Sequence, residues 1–185
     1  MRSIVLCVAI TLLTACSPST PSAPAALATP SGSLASRPAT ATGALAPNAT
    51  LRRVVDGDTV IVDIGEQRET VRLIGIDTPE TVKPNAPVDC FGPEASARTK
   101  DLLPPGTALH LERDIEARDV YGRLLAYVYR SDDGDFINLR LAEEGFATVL
   151  TFEPNTAHRS DFVAAATRAE RDDLGLWSAC STSAR

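Results

Sequence analysis

An arginine and two carboxylates lie close together in one short stretch of the sequence. Arg72 belongs to an apolar, β-branched run that ends in Asp77-Thr78-Pro79, and Glu80 follows directly. Such a run predicts a strand that carries a cation and is closed by an acidic turn. Taken alone, Asp77-Thr78-Pro79 is also the pattern of an ordinary turn, and Arg72 is also typical of a solvated edge charge or half of an ion pair.

A second acidic turn and a second arginine favour the interpretation as a site. Asp56-Gly57-Asp58 lies upstream, and Arg123 follows Tyr121-Gly122. Two arginines and several carboxylates are the parts needed to hold a metal ion and a phosphodiester together. During phosphodiester hydrolysis negative charge develops on the non-bridging oxygens, and the planar fork of arginine can bind these oxygens bidentately. Asp56 is expected to shape the turn that places Asp58.

The candidate metal ligands are all hard oxygen atoms. The carboxylates of Asp58 and Asp77 and the backbone carbonyl of Thr78 form a set that suits Ca²⁺. Zn²⁺ would favour cysteine or histidine ligands, and the sequence contains no cluster of these. His110 and His158 lie outside the acidic and arginine motifs, so we predict a structural role for both.

Five motifs in the sequence resemble those of the thermonucleases, or staphylococcal nuclease-like domains, over about residues 51–177. Because the motifs occur in the order of that family, the resemblance is far more specific than any one of them. The motifs are Val55-Asp56-Gly57-Asp58-Thr59, Arg72-Leu73 followed by Asp77-Thr78-Pro79-Glu80, Gly92-Pro93-Glu94-Ala95, Asp119-Val120-Tyr121-Gly122-Arg123 and Glu153-Pro154-Asn155.

The resemblance implies a Ca²⁺-dependent nuclease that cleaves DNA, with RNA as a further substrate, and with little sequence preference. Arg72, Glu80 and Arg123 match the catalytic positions of the family, and Glu80 matches its general base. An orienting role for Glu80 without proton transfer is the alternative, which the sequence leaves open.

The substrate-contacting positions depart from the family pattern. Leu150 and Phe152 stand where the family has two tyrosines, and Val120 stands where a lysine commonly precedes Tyr-Gly-Arg. Loss of two hydroxyls and a cation should weaken the phosphate contacts. Phe152 can stack on a base or belong to the core. The expected substrate contacts are Tyr121, Phe152 and Lys83.

The pattern of apolar residues and turn signals predicts an α+β fold with a strand-rich first half. The resemblance implies more, namely a five-stranded OB-fold β-barrel with about three α-helices. Strands are expected at 52–56, 59–64, 69–76, 108–113 and 124–129, and helices at 92–103, at 138–144 and after Asn155 or Thr156, either of which can cap the third helix.

The N-terminal segment predicts export. Residues 1–15 carry Arg2 and an apolar run that is too short to span a bilayer, which needs about 20 residues, so they are interpreted as a signal peptide. Leu13-Thr14-Ala15-Cys16 resembles a bacterial lipobox, in which Cys16 is lipidated; a plain signal peptide is the alternative. Residues 16–50 are expected to form a disordered tether, with one domain at 51–180 and a disordered tail at 181–185. We therefore expect a monomer that is lipid-anchored at the cell envelope, or secreted.

Two cysteines, Cys90 and Cys180, lie in the domain. In an oxidising compartment they most simply pair, while two unpaired thiols are the alternative. A bridge would close a loop of about 90 residues, contribute about 4 kcal/mol in the chain-entropy model, and pin the C-terminus to the loop after Glu80.

The domain is acidic. All 24 Asp and Glu residues lie between Asp56 and Asp173, against 15 Lys and Arg in the domain, so its net charge is −9. An acidic surface opposes binding to a polyanion, and we expect weak, salt-sensitive binding that is local to the arginines and the metal. Two alternatives stay open: a non-catalytic OB-fold module that binds nucleic acid or an anionic ligand, and a structural domain of the cell envelope. Both predict loss of the site residues, which this sequence retains.

Overall fold

Residues 43–81 and 87–180 are the part of the chain that the structure, a computed structural model, describes. The chain divides into two units, Met1–Arg37 and Pro38–Arg185, and every described residue belongs to the second. The predicted signal peptide, Cys16, most of the predicted tether, Lys83 and the tail at 181–185 lie outside the described residues. Within the described ranges no helix has the length and apolar character needed to cross a membrane.

In these ranges the chain forms eight strands and four helices. The strands are β1 (Ala49–Asp56), β2 (Thr59–Ile64), β3 (Gln67–Leu73), β4 (Gly75–Asp77), β5 (Ala108–Glu112), β6 (Leu124–Arg130), β7 (Asp135–Phe136) and β8 (Thr148–Leu150). The helices are α1 (Gly92–Leu102), α2 (Ile137–Glu143), α3 (Arg159–Arg171) and α4 (Leu176–Ala179).

Five strands close into a barrel, which confirms the expected architecture. Their order is β3-β2-β1-β5-β6 with antiparallel neighbours, and a parallel pairing of β3 with β6 that includes Val71 opposite Leu124 closes the ring. Successive side chains of a strand point to opposite faces, so alternate residues such as Val60 and Val62 on β2 fill the interior and are fully buried. Burying such a side chain contributes about 1.5–3 kcal/mol.

The ordered domain begins before the predicted boundary at residue 51. Ala49 and Leu51 are buried at the start of β1. The side chain of Asn48 donates a hydrogen bond to the carbonyl of Leu111 (2.9 Å) and accepts one from its N–H (2.8 Å). The last residues of the predicted tether therefore belong to the barrel, because the backbone N–H of Asn48 donates to the carbonyl of Leu109 (2.9 Å) and Ala49 pairs with Leu109 of strand β5.

Helices α1, α2 and α3 lie close to their predicted positions. The residue that precedes α3 differs from the predicted cap, and a fourth helix is present. Helix α1 starts with Pro93 near its N-terminus and Glu94 in its first turn, as expected. The predicted cap of the third helix is wrong, because His158 precedes α3 and makes no side-chain capping bond. Asn155 is instead 2 % exposed and bonds the backbone of Glu116, accepting from its N–H (2.7 Å) and donating to its carbonyl (3.0 Å). The short α4 was not predicted.

The predicted strand at 69–76 is two strands. Strand β3 ends at Leu73, and β4 leaves the barrel to pair with β8, placing Asp77 opposite Thr148. The break falls at Ile74, directly before Gly75, whose φ of +87° is unfavourable for other residues and whose backbone lies against the ring of Phe162, where a Cβ would clash. This turn of the chain carries Asp77 and the residues after it to the mouth of a cavity beside the barrel.

Candidate active site

A cavity of about 540 Å³ opens beside the closure of the barrel. It lies where the β1–β2 turn, the end of β3, the segment after β4 and the residues around β8 meet. All six residues that the sequence assigned to catalysis and metal binding line this cavity: Asp58, Arg72, Asp77, Thr78, Glu80 and Arg123. The fold therefore brings together side chains that lie up to 65 positions apart in the sequence.

Arg72 is buried at the centre of the site, with 4 % of its surface exposed. It lies on β3 opposite Thr59 of β2. Its Nη1 donates to the carbonyls of Leu73 (2.6 Å) and Ile76 (3.0 Å). Two backbone acceptors thus fix the guanidinium, so Arg72 is not the solvated edge charge that the isolated pattern also allowed.

The second terminal nitrogen of Arg72 joins two carboxylates. Nη2 lies 2.8 Å from Oδ1 of Asp77 and 3.0 Å from Oδ2 of Asp58. Both acids therefore lie around one cation, and a site that can hold one positive charge between them is already formed in the protein.

Asp58 also fixes the segment that follows β4. Its Oδ1 accepts a hydrogen bond from Thr59 Oγ1 (2.9 Å), and its Oδ2 accepts from the N–H (3.0 Å) and the hydroxyl (3.1 Å) of Thr78. Asp58 and Thr78 are both buried. The turn between β1 and β2 is thereby tied to the turn that carries Asp77 and Glu80.

Asp77 is the more accessible of the two carboxylates, with 53 % of its side chain exposed. Partial burial of its carboxyl among protein atoms is the largest influence on its pKa and raises it. The positive charge of Arg72 acts in the opposite direction, and the negative charge of Asp58 adds to the rise, so the pKa lies above its usual value. A further cation near Asp77 would therefore stabilise the charged form of its carboxylate.

The chemistry of the cavity lining suits a hard cation. Among the described residues no three Asp, Glu, His or Cys side chains converge as a group that could hold a metal by themselves. The oxygen donors assigned from the sequence, the carboxylates of Asp58 and Asp77 and the carbonyl of Thr78, belong to residues that line the cavity. His110 and His158 are not among the lining residues. Carboxylates outnumber the two arginines in the lining, with Asp56, Asp58, Asp77, Glu80 and Asp89 facing Arg72 and Arg123. An oxygen donor set with surplus negative charge fits Ca²⁺ or a similar cation.

Asp56 was expected to place Asp58, and its carboxylate also holds the segment that follows Glu80. Its carboxylate accepts from the hydroxyl (2.6 Å) and the N–H (3.2 Å) of Thr81 and from the N–H of Gly57 (2.9 Å). Burial alone would raise the pKa of Asp56, but the hydrogen bond that its carboxyl group shares with the carboxyl group of Glu80, together with those donated by Thr81 and Gly57, outweighs burial, and the pKa lies below its usual value.

Arg123 is held by Asp119. The carboxylate of Asp119 accepts from Arg123 Nε (2.6 Å) and from the N–H groups of Arg123 (2.9 Å) and Tyr121 (3.0 Å). Burial would raise the pKa of Asp119, but these bonds to Arg123 and Tyr121 lower it. The guanidinium also lies 5.4 Å from the centre of the Tyr121 ring. The sequence assigned no role to Asp119, although its place four residues before Arg123 was visible.

The three expected substrate contacts have different surroundings. Phe152 lines the cavity, as a residue that stacks on a base would, and it also packs against the core. The guanidinium of Arg72 lies 5.4 Å from its ring centre. Tyr121 is 81 % exposed and lines a neighbouring cavity of about 210 Å³ that shares Arg123 and Phe152 with the main one. Lys83 lies outside the described residues.

One charged residue of the lining, Asp89, was not predicted from the sequence. Asp89 lies directly before Cys90, and its N–H donates to the carbonyl of Glu80 (2.9 Å). The predicted disulfide between Cys90 and Cys180 is present. An acidic residue next to a bridged cysteine was the only signal that could have drawn attention to Asp89.

Comparison with known proteins agrees with this geometry. The family described as staphylococcal nuclease homologue matches residues 70–179. The thermonuclease of Staphylococcus intermedius is 46 % identical over 127 residues, which is 69 % of this chain and 74 % of that protein. Endonuclease YncB of Bacillus subtilis (strain 168) is 45 % identical over 133 residues, which is 71 % of this chain and 62 % of that protein. The thermonuclease of Staphylococcus hyicus is 42 % identical over 126 residues, 68 % of this chain and 73 % of that protein. The chain is a member of the staphylococcal nuclease homologue family.

Proposed function

We propose that this protein is a Ca²⁺-dependent nuclease that hydrolyses phosphodiester bonds of DNA, and of RNA as a second substrate, with little sequence specificity. The observation that carries the proposal is the meeting of Arg72, Glu80 and Arg123 at one cavity with two carboxylates, Asp58 and Asp77. The names of two relatives, thermonuclease and endonuclease, support the same reaction class.

The carboxylates of Asp58 and Asp77 and the carbonyl of Thr78 would hold Ca²⁺. When bound, the ion supplies positive charge beside the scissile phosphate and makes a neighbouring water more acidic. Asp58 contributes in a second way, because its bonds to Thr78 fix the backbone that offers the carbonyl.

Arg72 and Arg123 would bind the non-bridging oxygens of the phosphate. Negative charge grows on these oxygens as the fifth oxygen adds to phosphorus, so contacts that strengthen at that moment lower the barrier. Both guanidiniums are held in advance, Arg72 by two backbone carbonyls and Arg123 by Asp119. The positions of both guanidinium groups are therefore set before the substrate arrives.

Glu80 would take the proton of the attacking water. The water oxygen then bonds to phosphorus, the bond from phosphorus to the leaving oxygen breaks, and the leaving oxygen takes up a proton from solvent to become a hydroxyl. Asp56 and Thr81 hold the backbone next to Glu80, so its carboxylate starts from a defined position.

Substrate binding would be local to this site. The domain's net charge of −9 repels a polyanion elsewhere on the surface, so binding should rest on the phosphate contacts at the two arginines and the metal, and these contacts should weaken as salt rises. Phe152 offers an aromatic face on which any base can stack, which is consistent with low sequence preference.

We further propose that the protein is exported and acts as a monomer. In this proposal Cys16 carries a lipid that anchors the chain at the cell envelope, and the segment rich in Ala, Pro, Ser and Thr separates the nuclease domain from the membrane. Metabolic labelling with a radioactive fatty acid, with Cys16→Ser as the control, tests the anchor.

The central test is hydrolysis of single-stranded DNA by the purified protein. We expect cleavage with Ca²⁺ and none with excess EDTA, followed by recovery when Ca²⁺ is restored. Full activity in EDTA would contradict the metal requirement. Binding of the oligonucleotide without cleavage, in the presence of Ca²⁺, would favour the binding-module alternative.

A further inference from the structure

We propose that Asp89 is a positioning residue for Glu80, and that the Cys90–Cys180 disulfide affects catalysis through Asp89. This inference rests on the proposed function, in which Glu80 acts on the attacking water. Asp89 itself is not required to touch the substrate.

Two hydrogen bonds of opposite direction join Asp89 and Glu80. The N–H of Glu80 donates to Oδ2 of Asp89 (3.1 Å), and the N–H of Asp89 donates to the carbonyl of Glu80 (2.9 Å). Both hydrogen-bonding groups of the Glu80 backbone are thus satisfied by Asp89. Any shift of Asp89 therefore moves the backbone from which the Glu80 side chain extends.

The chain next to Glu80 and the chain next to Asp89 are held to the domain in different ways. On one side Thr81 bonds Asp56, which is 5 % exposed and belongs to the end of a barrel strand. On the other side Asp89 and Cys90 are exposed. The barrel fixes the first side, whereas the second is held by the start of α1, through the hydrogen bond from Gly92 N–H to the Asp89 carbonyl, and by one covalent attachment.

The disulfide supplies that attachment. Cys90 follows Asp89 and is bonded to Cys180, at the end of α4. Helix α4 is tied to the domain in turn, because the N–H of Leu176 donates to the carbonyl of Gly145 (2.9 Å). Asp89 is therefore linked covalently to a helix that lies 90 positions further along the chain.

The start of α1 completes the support. The N–H of Gly92 donates to the carbonyl of Asp89 (3.1 Å). A Cβ at Gly92 would lie only 2.9 Å from the carbonyl oxygen of Glu80, so the first residue of the helix packs directly on the Glu80 backbone. Asp89 is confined between α1 and Glu80, with the disulfide as its outer restraint.

Reduction of the disulfide should therefore impair the reaction. A dithiol donates two electrons and two protons to the bridge, giving the thiols of Cys90 and Cys180 and a cyclic disulfide of the reagent. Asp89 then loses its link to α4. Misplacement of a catalytic group by about 1 Å can cost about 10²-fold in rate, so even a small shift of Glu80 should be measurable.

The first test removes or keeps the bond between Asp89 and Glu80 with the disulfide intact. We expect Asp89→Ala to lower the single-turnover cleavage rate at saturating Ca²⁺ and oligonucleotide by about 10-fold or more. Asp89→Asn keeps an oxygen that can accept from Glu80 N–H, so it should stay within about 3-fold of wild type. Asp89→Asn as slow as Asp89→Ala would overturn the positioning role, because the lost charge would then explain the effect.

Arg98→Gln is the matched control. It breaks a two-bond ion pair from α1 to Glu144 (2.6 and 2.8 Å), and neither residue lines the cavity. It should lower stability without changing the rate measured on folded protein. A rate loss equal to that of Asp89→Ala would mean that loosening of α1 in general is responsible, which contradicts a specific role for Asp89.

The second test asks whether the disulfide acts through Asp89. Removing it with Cys90→Ser and Cys180→Ser should slow the wild-type protein by about 10-fold but change the Asp89→Ala protein by less than about 2-fold. Equal losses in both backgrounds would refute the link. If the serine variant does not fold, the same comparison is made on native protein reduced with dithiothreitol, with circular dichroism to confirm folding.

A third readout does not depend on cleavage. Amide hydrogen exchange at Glu80 should accelerate in Asp89→Ala and not in Arg98→Gln, because only the first removes the acceptor of that N–H. Unchanged exchange in Asp89→Ala would overturn the positioning role whatever the activity. Inactive wild-type protein with accelerated exchange in the variant would instead contradict the proposed function alone.

Discussion

Arg72 and Asp77 meet at 2.8 Å, between Nη2 of the guanidinium and Oδ1 of the carboxylate. The same nitrogen lies 3.0 Å from Asp58, and the other terminal nitrogen is held by the carbonyls of Leu73 and Ile76. The residue proposed to bind the phosphate therefore also orders both proposed metal-binding carboxylates. Substitutions here should separate these two roles when rate and Ca²⁺ requirement are measured independently.

Replacing either site arginine by lysine should slow the chemical step. Arg72→Lys and Arg123→Lys keep the charge and remove the planar fork, so each should lower kcat by at least about 10², the loss expected for one transition-state donor. Single-turnover cleavage at saturating Ca²⁺, with circular dichroism for folding, measures this. Arg118→Lys is the matched control, since Arg118 forms a comparable fork with Glu69 on an exposed surface. Wild-type rates in both site variants would remove these arginines from catalysis.

Glu80→Gln should also reduce kcat by at least about 10², because the amide can accept a hydrogen bond from water but cannot take its proton. The shape of the side chain is preserved. Glu94→Gln, in the first turn of α1 and exposed, should leave the rate unchanged. If Glu80→Gln were only a few-fold slower, the orienting role for Glu80 would be preferred over proton transfer.

Asp77→Asn should change the Ca²⁺ requirement more than the maximal rate. The amide lacks the negative charge of a carboxylate, so the Ca²⁺ concentration for half activity should rise by about 10-fold or more. A Ca²⁺ titration of initial rates shows this, and Asp101→Asn on the exposed side of α1 serves as the control. An unchanged midpoint with a lower maximal rate would place Asp77 outside the metal site.

Stability should decline at alkaline pH through Tyr129. Burial, with the nearby Glu112 carboxylate, raises the pKa of Tyr129 from 10.0 to about 12. The folded state therefore keeps the phenol proton when the unfolded chain has released it, and this contribution is complete below pH 10.0 and is lost as pH rises towards 12. Urea midpoints across this window should fall less steeply for Tyr129→Phe, which cannot ionise. Parallel curves for the two proteins would show that Tyr129 does not contribute.

Much of the barrel and the identity of the site residues could be predicted from the sequence. Alternation in β2 and the Pro-Glu start of α1 are local patterns, because side-chain direction and helix capping depend on near neighbours. The oxygen-rich ligand set and the two arginines were also apparent, since the chemistry of a side chain is fixed by its type. The cysteine pair followed from there being two thiols in the domain.

Other features depended on contacts between distant segments. Asn155 was predicted to cap a helix, but its side chain bonds the backbone of Glu116, 39 positions away, which is available only after the chain has folded. The break directly before Gly75 depends on the ring of Phe162, and the role of Asp89 depends on its distance from Glu80 and on Cys180. The sequence by itself thus determined which groups could do the chemistry and the local elements that carry them. Tertiary packing alone decided which backbone and side-chain partners hold those groups, because a buried polar group takes whichever partner the surrounding fold brings within hydrogen-bonding distance.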